Sequence, residues 1–242
     1  MFQGRRRSAT VLAVLAMLAT PVAAALGPST VARAAGAAST PGLATWGSTL
    51  TRAGGWQHST PLWTVPGEDL PAVGTGVTSR STNWSGYIAA GSRFTSVAGQ
   101  WKVPTVRPAA GQEASATWIG IDGVTDRSLI QTGTAQDTSS AGTSYFAWAE
   151  VLPYAPQDLG PVSPGDEMRA SIVNSSGTWT ISISDETEDV GASGQVAYDG
   201  EASSAEWVEE APTSSLTGQV LPLADFGSVR FTDVAYGASA PG

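Results

Sequence analysis

Beyond about residue 80, apolar and polar positions alternate in short runs bounded by clusters of Gly, Pro, Asn, Asp and Ser. This is the pattern of β-strands joined by tight turns. It predicts strands over Asn83–Ala90, Phe94–Val106, Ala116–Ile121, Ser128–Gly133, Ser144–Leu152, Glu167–Val173, Thr178–Ser184, Gly194–Tyr198, Ala205–Glu210 and Ser228–Val234. The clearest run, Thr178–Ser184, sets Trp179, Ile181 and Ile183 on one face and hydroxyls on the other, as the two-residue period of a strand requires. Asn174-Ser175-Ser176-Gly177 just ahead of it reads as a hairpin turn. No stretch sustains a helical period, and no longer repeat stands out. The expected fold is all-β, an antiparallel two-sheet β-sandwich of concanavalin-like or jelly-roll-like form, with a barrel as the alternative.

The first 75 residues follow different rules. Arg5-Arg6-Arg7 precedes an apolar run, Ala9 to Ala19, which Pro21 breaks. Small residues follow at Val22-Ala23-Ala24-Ala25 and again at Ala32-Arg33-Ala34. This is the pattern of a secretory signal peptide, assigned to 1–34, and the run is too short for a stable membrane anchor. Residues 35–75 are rich in Ala, Gly, Ser, Thr and Pro, yet hold Trp46, Trp56 and Trp63, which a plain linker would not need. They read as a propeptide that packs on the following domain and is later removed, or as an ordered N-terminal arm, with an activation site between 70 and 80. Residues 76–242 form the β-sandwich domain. The expected location is extracellular.

Charge sharpens this division. The chain of 242 residues has a formal net charge of −9. From residue 76 onward there are 7 basic and 19 acidic residues, a net of −12, while the leader is mildly basic. An acidic domain repels phosphate backbones, so no nucleic-acid partner is expected. A basic segment ahead of an acidic domain suits a zymogen.

The chemistry is narrowed by what is missing. Cysteine is absent and His58 is the single histidine. A thiol nucleophile, a disulfide framework and a multi-histidine metal site are therefore excluded. A Ser-His-Asp triad would need His58 to belong to the working domain. The remaining acid–base groups are carboxylates, with amides and water as helpers. Three carboxylates lie beside aromatic residues on strands: Asp122, Glu150 and Glu206. Alternation puts Phe146, Trp148 and Glu150 on one face, either a core or a substrate groove. Asp185, Glu186, Glu188 and Asp189 read as a solvated turn. Asn83 and Asn174 fit glycosylation sequons.

Several segments occur in a telling order: Asn83-Trp84-Ser85-Gly86, Val103-Pro104, Trp118-Ile119-Gly120-Ile121-Asp122-Gly123, Ile130-Gln131-Thr132-Gly133, Ala147-Trp148-Ala149-Glu150 and Ala205-Glu206-Trp207-Val208-Glu209. The series resembles the glutamic peptidases, the eqolisin group of scytalidoglutamic and aspergilloglutamic type, over roughly residues 80 to 236. The resemblance implies two curved antiparallel sheets, secretion as a proenzyme and peptide-bond hydrolysis in acid. It implies a polypeptide substrate; no cofactor and no metal are expected, and a monomer is the expected state. It places the catalytic pair at Gln131 and Glu206 and the substrate groove at Trp84, Trp118, Asp122, Glu150 and Glu209. Two departures accompany it: Ala135 and Phe146 stand where several fungal members of the group carry acids, and the spacing from Asp122 to Gln131 is about one residue shorter. Two other readings start from the residues. One is a carbohydrate-binding sandwich, or a glycoside hydrolase using Glu150 and Glu206. The other is a catalytically silent homologue.

Overall fold

The computed structural model describes residues 14–16, 43–45, 56–62, 78–91 and 93–239. Most of the expected signal segment and both cleavage motifs lie outside the described residues, as do Trp46, Trp63 and nearly all of the expected activation stretch. Among the described residues there is no helix.

The leader contributes three short strands among the described residues, β1 (Val14–Ala16), β2 (Leu43–Thr45) and β3 (Trp56–Gln57), and the domain opens with a fourth, β4 (Thr78–Ser79). The domain continues with β5 (Trp84–Ala90), β6 (Phe94–Lys102), β7 (Glu113–Asp122), β8 (Leu129–Ser139), β9 (Gly142–Val151) and β10 (Gln157–Pro161). It ends with β11 (Glu167–Ser175), β12 (Thr178–Asp185), β13 (Val190–Val196), β14 (Ser204–Glu210), β15 (Thr213–Ser214) and β16 (Thr232–Ala238). One sheet has the order β10-β9-β8-β7-β14-β5-β1-β4, and the other β16-β6-β11-β12-β13-β2. Pairing within the domain is antiparallel; β1 and β2 join their sheets by parallel pairing to β5 and β13. The expected sandwich is the observed fold.

The two sheets face each other across an apolar layer. Val97, Trp101, Met168, Ile172, Trp179, Ile181 and Ile183 of the six-stranded sheet meet Ile119, Ile121, Ile130, Ala147, Ala205 and Trp207 of the eight-stranded sheet. Burying each of the larger side chains is worth roughly 1.5–3 kcal/mol. Indole N–H groups in this layer need acceptors, and they find them: Trp101 Nε1 donates to Thr134 Oγ1 (3.0 Å) and Trp207 Nε1 to the Ala98 carbonyl (2.9 Å). The turn between β11 and β12 has positive φ at both central residues, Ser176 (53°) and Gly177 (89°). That is the mirror-image geometry that matches strand twist.

Several boundaries differ from expectation. The β7–β8 hairpin runs on to Glu113 and Ser139, because its polar rungs still pair along the ladder. Strand β6 stops at Lys102, ahead of Pro104; β13 and β16 are displaced by about one turn of sequence from the predicted runs. Strand β10, a polar segment with Gly160 and Pro161 at the sheet edge, was not expected. Asp185 is also not solvated. It is buried, and its Oδ1 accepts the Thr187 and Glu188 amides, closing the turn after β12. Burial and the neighbouring Asp166 carboxyl raise its pKa.

Antiparallel sheets usually bury one face and solvate the other. Here every residue of β14, and all of β7 after Glu113, is buried. The outer face of the eight-stranded sheet therefore carries its own cluster: Trp84, Ile88, Trp118, Leu129, Phe146, Trp148 and Val208, joined by Trp56 from the leader.

Candidate active site

Register decides which side chains meet on that outer face. In an antiparallel sheet, directly opposed residues point to the same side. One rung runs Glu150, Gln131, Gly120, Glu206, Ile88 across β9, β8, β7, β14 and β5. Gln131 and Glu206 thus stand two strand spacings apart, roughly 10 Å between Cα atoms. The residue between them has no side chain. Gly120 therefore puts no side chain of its own between the amide and the carboxyl.

Gln131 and Glu206 are both fully buried. Gln131 Nε2 donates to Glu150 Oε2 at 2.6 Å. Gln131 Oε1, Glu150 Oε1 and both Glu206 carboxyl oxygens have no hydrogen-bond partner. Buried polar atoms without partners are costly and rare, and this rung holds four. Burial raises the Glu206 pKa well above the ordinary carboxylate value, with Asp122 and Asp126 adding to it and the Ser204 hydroxyl offsetting only part. Burial likewise raises Glu150 to about 7, against the opposing influence of His58 and Gln131. Burial thus favours the protonated form of both acids.

The next rungs are aromatic. Trp148, Gly133, Trp118 and Val208 form one, and Phe146, Ala135, Ala116, Glu210 and Trp84 the one beyond. Trp84 and Trp118 meet edge to face at 4.8 Å between centroids. Across them lies the leader segment 56–62, with the His58 ring stacked on Trp148.

The sequence profile of the peptidase A4 family matches residues 82–241. The chain belongs to that family. It is 32% identical over 214 residues to aspergillopepsin-2 of Aspergillus niger, covering 75% of this chain and 74% of that one. It is 32% identical over 167 residues to scytalidopepsin B of Scytalidium lignicola, covering 63% and 62%. The crystal structure of scytalido-glutamic peptidase with a transition state analog inhibitor superposes with a TM-score of 0.58 at 27% identity, over 64% of this chain and 80% of that chain. The resemblance read from the motif series is therefore a family relationship, and the chain is a hydrolase of the glutamic peptidase class.

Within this A4 domain, the expected groove residues divide. Trp84, Trp118 and Glu150 lie on the outer face with Gln131 and Glu206. Asp122 ends β7 in a left-handed conformation (φ 71°) and is fully buried. Its Oδ2 accepts the Tyr198 hydroxyl (2.6 Å) and the Ala202 amide (2.8 Å), and its Oδ1 accepts the Ser203 amide (2.6 Å) and hydroxyl (3.1 Å). Its donors all come from its own chain, so it serves as an anchor for the loop that leads into β14. Glu209 is placed on the other face of β14, toward the six-stranded sheet, where it accepts the Thr117 hydroxyl at 2.5 Å. An odd offset from Glu206 turns a strand side chain to the opposite side, so Glu209 does not share a face with Glu206.

Glu210, one residue on, is the carboxyl that shares the Glu206 face, and the motif series passed it over. Its Oε2 meets His58 Nδ1 (2.8 Å) and accepts Trp118 Nε1 (3.0 Å); its Oε1 accepts the Ser59 amide (3.1 Å). Strand alternation from Glu206 through Val208 was the signal that could have found it. Ala135 and Phe146 oppose each other directly, and Phe146 carries the Trp56 ring at 5.8 Å. The Asn83 sequon is engaged in folding: the side chain is buried and bonded to Ser59, Thr60, Leu62 and Ser81.

Proposed function

We propose that this chain is exported as a zymogen and, once its leader is removed, cuts polypeptides in acid as a monomer through Gln131 and Glu206. The observation that carries the reading is the shared rung: one amide and one carboxyl on either side of a glycine, with unpartnered polar atoms on both. The signal-like leader supports export.

The chemistry follows from the groups. Ionised Glu206 takes a proton from water as the water oxygen attacks the scissile carbonyl carbon. The carbonyl π electrons move to oxygen, giving a tetrahedral oxyanion. Gln131 Nε2 has two N–H bonds; one is used on Glu150, and the second is free for the oxyanion. Glu206 then passes its proton to the leaving nitrogen, and the C–N bond breaks. Glu150 orients the amide and touches neither water nor substrate in this scheme. While it is buried, Glu206 favours its protonated form, and a protonated carboxyl is no base. Opening the outer face to water lowers that desolvation cost and frees the base. Four buried carboxyls with raised pKa, Glu150, Glu206, Glu209 and Glu210, also suit a protein that works in acid.

A glycoside hydrolase needs two carboxyls facing each other across one cleft. Gln131 stands between Glu150 and Glu206 on the rung and bonds to Glu150, which favours the peptidase.

The test is cleavage of a denatured protein at about pH 3 by acid-treated chain, with pepstatin as control. Gln131→Ala is expected to lose on the order of 10²–10³ in kcat, as for removal of an oxyanion donor. Glu206→Gln is expected to lose at least as much. Cleavage at the parent rate in both variants would refute the assignment.

A further inference from the structure

Two serines at the entry to β14 are used differently. Ser203 is tied through every polar group it has. Its amide and hydroxyl donate to Asp122 Oδ1 (2.6 and 3.1 Å), and its carbonyl accepts the Gly91 amide (2.9 Å). Ser204, the first residue of the strand, pairs with Ala90 of β5 and is 1% exposed, yet its hydroxyl has no hydrogen-bond partner. Two residues on and on the same face of the strand, both carboxyl oxygens of Glu206 are in the same condition. The large neighbours on that face, Ile88, Leu129 and Val208, are apolar. An apolar residue would suit position 204 better than a buried hydroxyl, unless the hydroxyl has a partner to serve.

We propose that Ser204 is a positioning residue for the reaction: its hydroxyl donates to one oxygen of ionised Glu206 and leaves the other oxygen to face the attacking water. The reaction rests on the peptidase reading above; the placement of Ser204 beside Glu206 stands on the fold.

The geometry limits what else the hydroxyl can do. With Ser203 held by Asp122 and Gly91, Ser204 has its own side-chain torsion left to adjust. A serine hydroxyl has one O–H to donate, and an ionised carboxylate only accepts. Once Glu206 gives up its proton, the contact becomes a hydrogen bond to a charge, the stronger kind. It also fixes which carboxylate oxygen is occupied, so the proton from water arrives at the other.

The groups around Glu206 set the sign of the pH effect. Burial raises its pKa, the Ser204 hydroxyl lowers it, and Asp122 at the end of β7 and Asp126 in the β7–β8 loop raise it again. Tyr198, in the loop before β14, also faces it, and Glu150 of β9 lies beyond Gln131 on the same rung. On either side β5 presents Ile88 and β7 presents Gly120. Every titratable neighbour named is an acid, so Ser204 is the one among them that favours the carboxylate. Removing the hydroxyl raises the Glu206 pKa, and the base is then lost at a higher pH as the solution is acidified.

The test compares acid-treated parent, Ser204→Ala and Ser204→Thr on a denatured protein from about pH 2 to 6, where the acid limb of kcat/KM reports the free enzyme's base. Ser204→Ala is expected to move that limb up by about one pH unit. On the plateau its kcat should fall several-fold while KM stays within about twofold. Ser204→Thr keeps the hydroxyl and should hold the parent's limb. A limb in Ser204→Ala that coincides with the parent's overturns the proposal, and so does a Thr variant that shifts as far as Ala. The contact is also readable without turnover, in the full chain carrying Gln131→Ala. Carbon NMR of labelled glutamate carboxyls follows each titration there, and Glu206→Gln identifies the Glu206 signal. Ser204→Ala is expected to raise that titration by about one unit as well. If it does, but the parent cuts no protein, the contact stands and the peptidase reading falls. If it does not, the role of Ser204 is overturned whatever the activity.

Discussion

Trp118 bends its indole over Gly120: a Cβ added to Gly120 would lie 2.8 Å from Trp118 Cζ3. The same Cβ would meet Leu129 Cδ1 at 3.1 Å and the Ile130 carbonyl at 3.3 Å. The ring has little freedom to retreat, since Trp84 packs on it and Nε1 is tied to Glu210. The glycine thus lets the Trp118 ring lie against the backbone between Gln131 and Glu206.

Gly120→Ala is therefore expected to fold but to lose roughly 1–3 kcal/mol of stability, the usual cost of overpacking. It should also lose most of its activity, because the methyl stands on the rung where the scissile bond would sit. Denaturant unfolding gives the first quantity and acid proteolysis of a denatured substrate the second. An Ala variant with parental kcat would show that the close packing of Trp118 on Gly120 does not matter to the reaction.

Asp122 acts at one remove. Its carboxylate holds Tyr198, Ala202 and Ser203, and β14 begins at Ser204. It thereby fixes where β14 enters the sheet and keeps Glu206 level with Gly120. Asp122→Asn replaces an oxygen with an NH₂ that must face a donor, and is expected to cost about 2–4 kcal/mol. The positioning role predicts a split that mere destabilisation would not give. At a temperature where the variant is fully folded, kcat falls by tenfold or more while KM stays within about twofold. Parental kcat in folded Asp122→Asn would reduce the residue to a structural tether.

What the chain's pattern reveals, and what it hides, divides by the range of the forces. The hairpin at Ser176-Gly177 and the buried face of Trp179, Ile181 and Ile183 are local, so alternation and turn chemistry suffice. Gln131 and Glu206 were legible as a motif, but their common rung depends on register across three strands. The resemblance points to Glu209, whereas strand parity puts Glu210 on the face of Glu206. Strand β10 has no apolar face to announce it, because an edge strand holding Gly160 and Pro161 is paired on one side only. The docking of His58 on Trp148 joins residues 90 apart in sequence, and nothing local encodes it. Sequence alone leaves the lone histidine as a triad member only if it belongs to the working domain; the structure seats it against Trp148 and Glu210.

Glu209 offers a prediction about pH that is independent of catalysis. It is buried in the layer between the sheets, and burial raises its pKa from 4.5 to about 7, although the Thr117 and Ser115 hydroxyls favour the ionised form; Glu210 adds to the rise. A carboxyl whose pKa is higher in the folded state favours folding most below its unfolded pKa. That contribution is lost as pH rises from about 4.5 to about 7, and it stays lost above. The shift corresponds to up to about 3 kcal/mol. Glu209→Gln keeps the shape and can still bond to Thr117, but it cannot ionise. The variant is expected to lose less stability than the parent between about pH 4.5 and pH 7.5, with the difference approaching that figure. Urea unfolding at the two pH values, on a Glu206→Gln background, measures it. Equal losses in parent and variant would mean that Glu209 is already ionised in the folded protein, held as a carboxylate by the two hydroxyls.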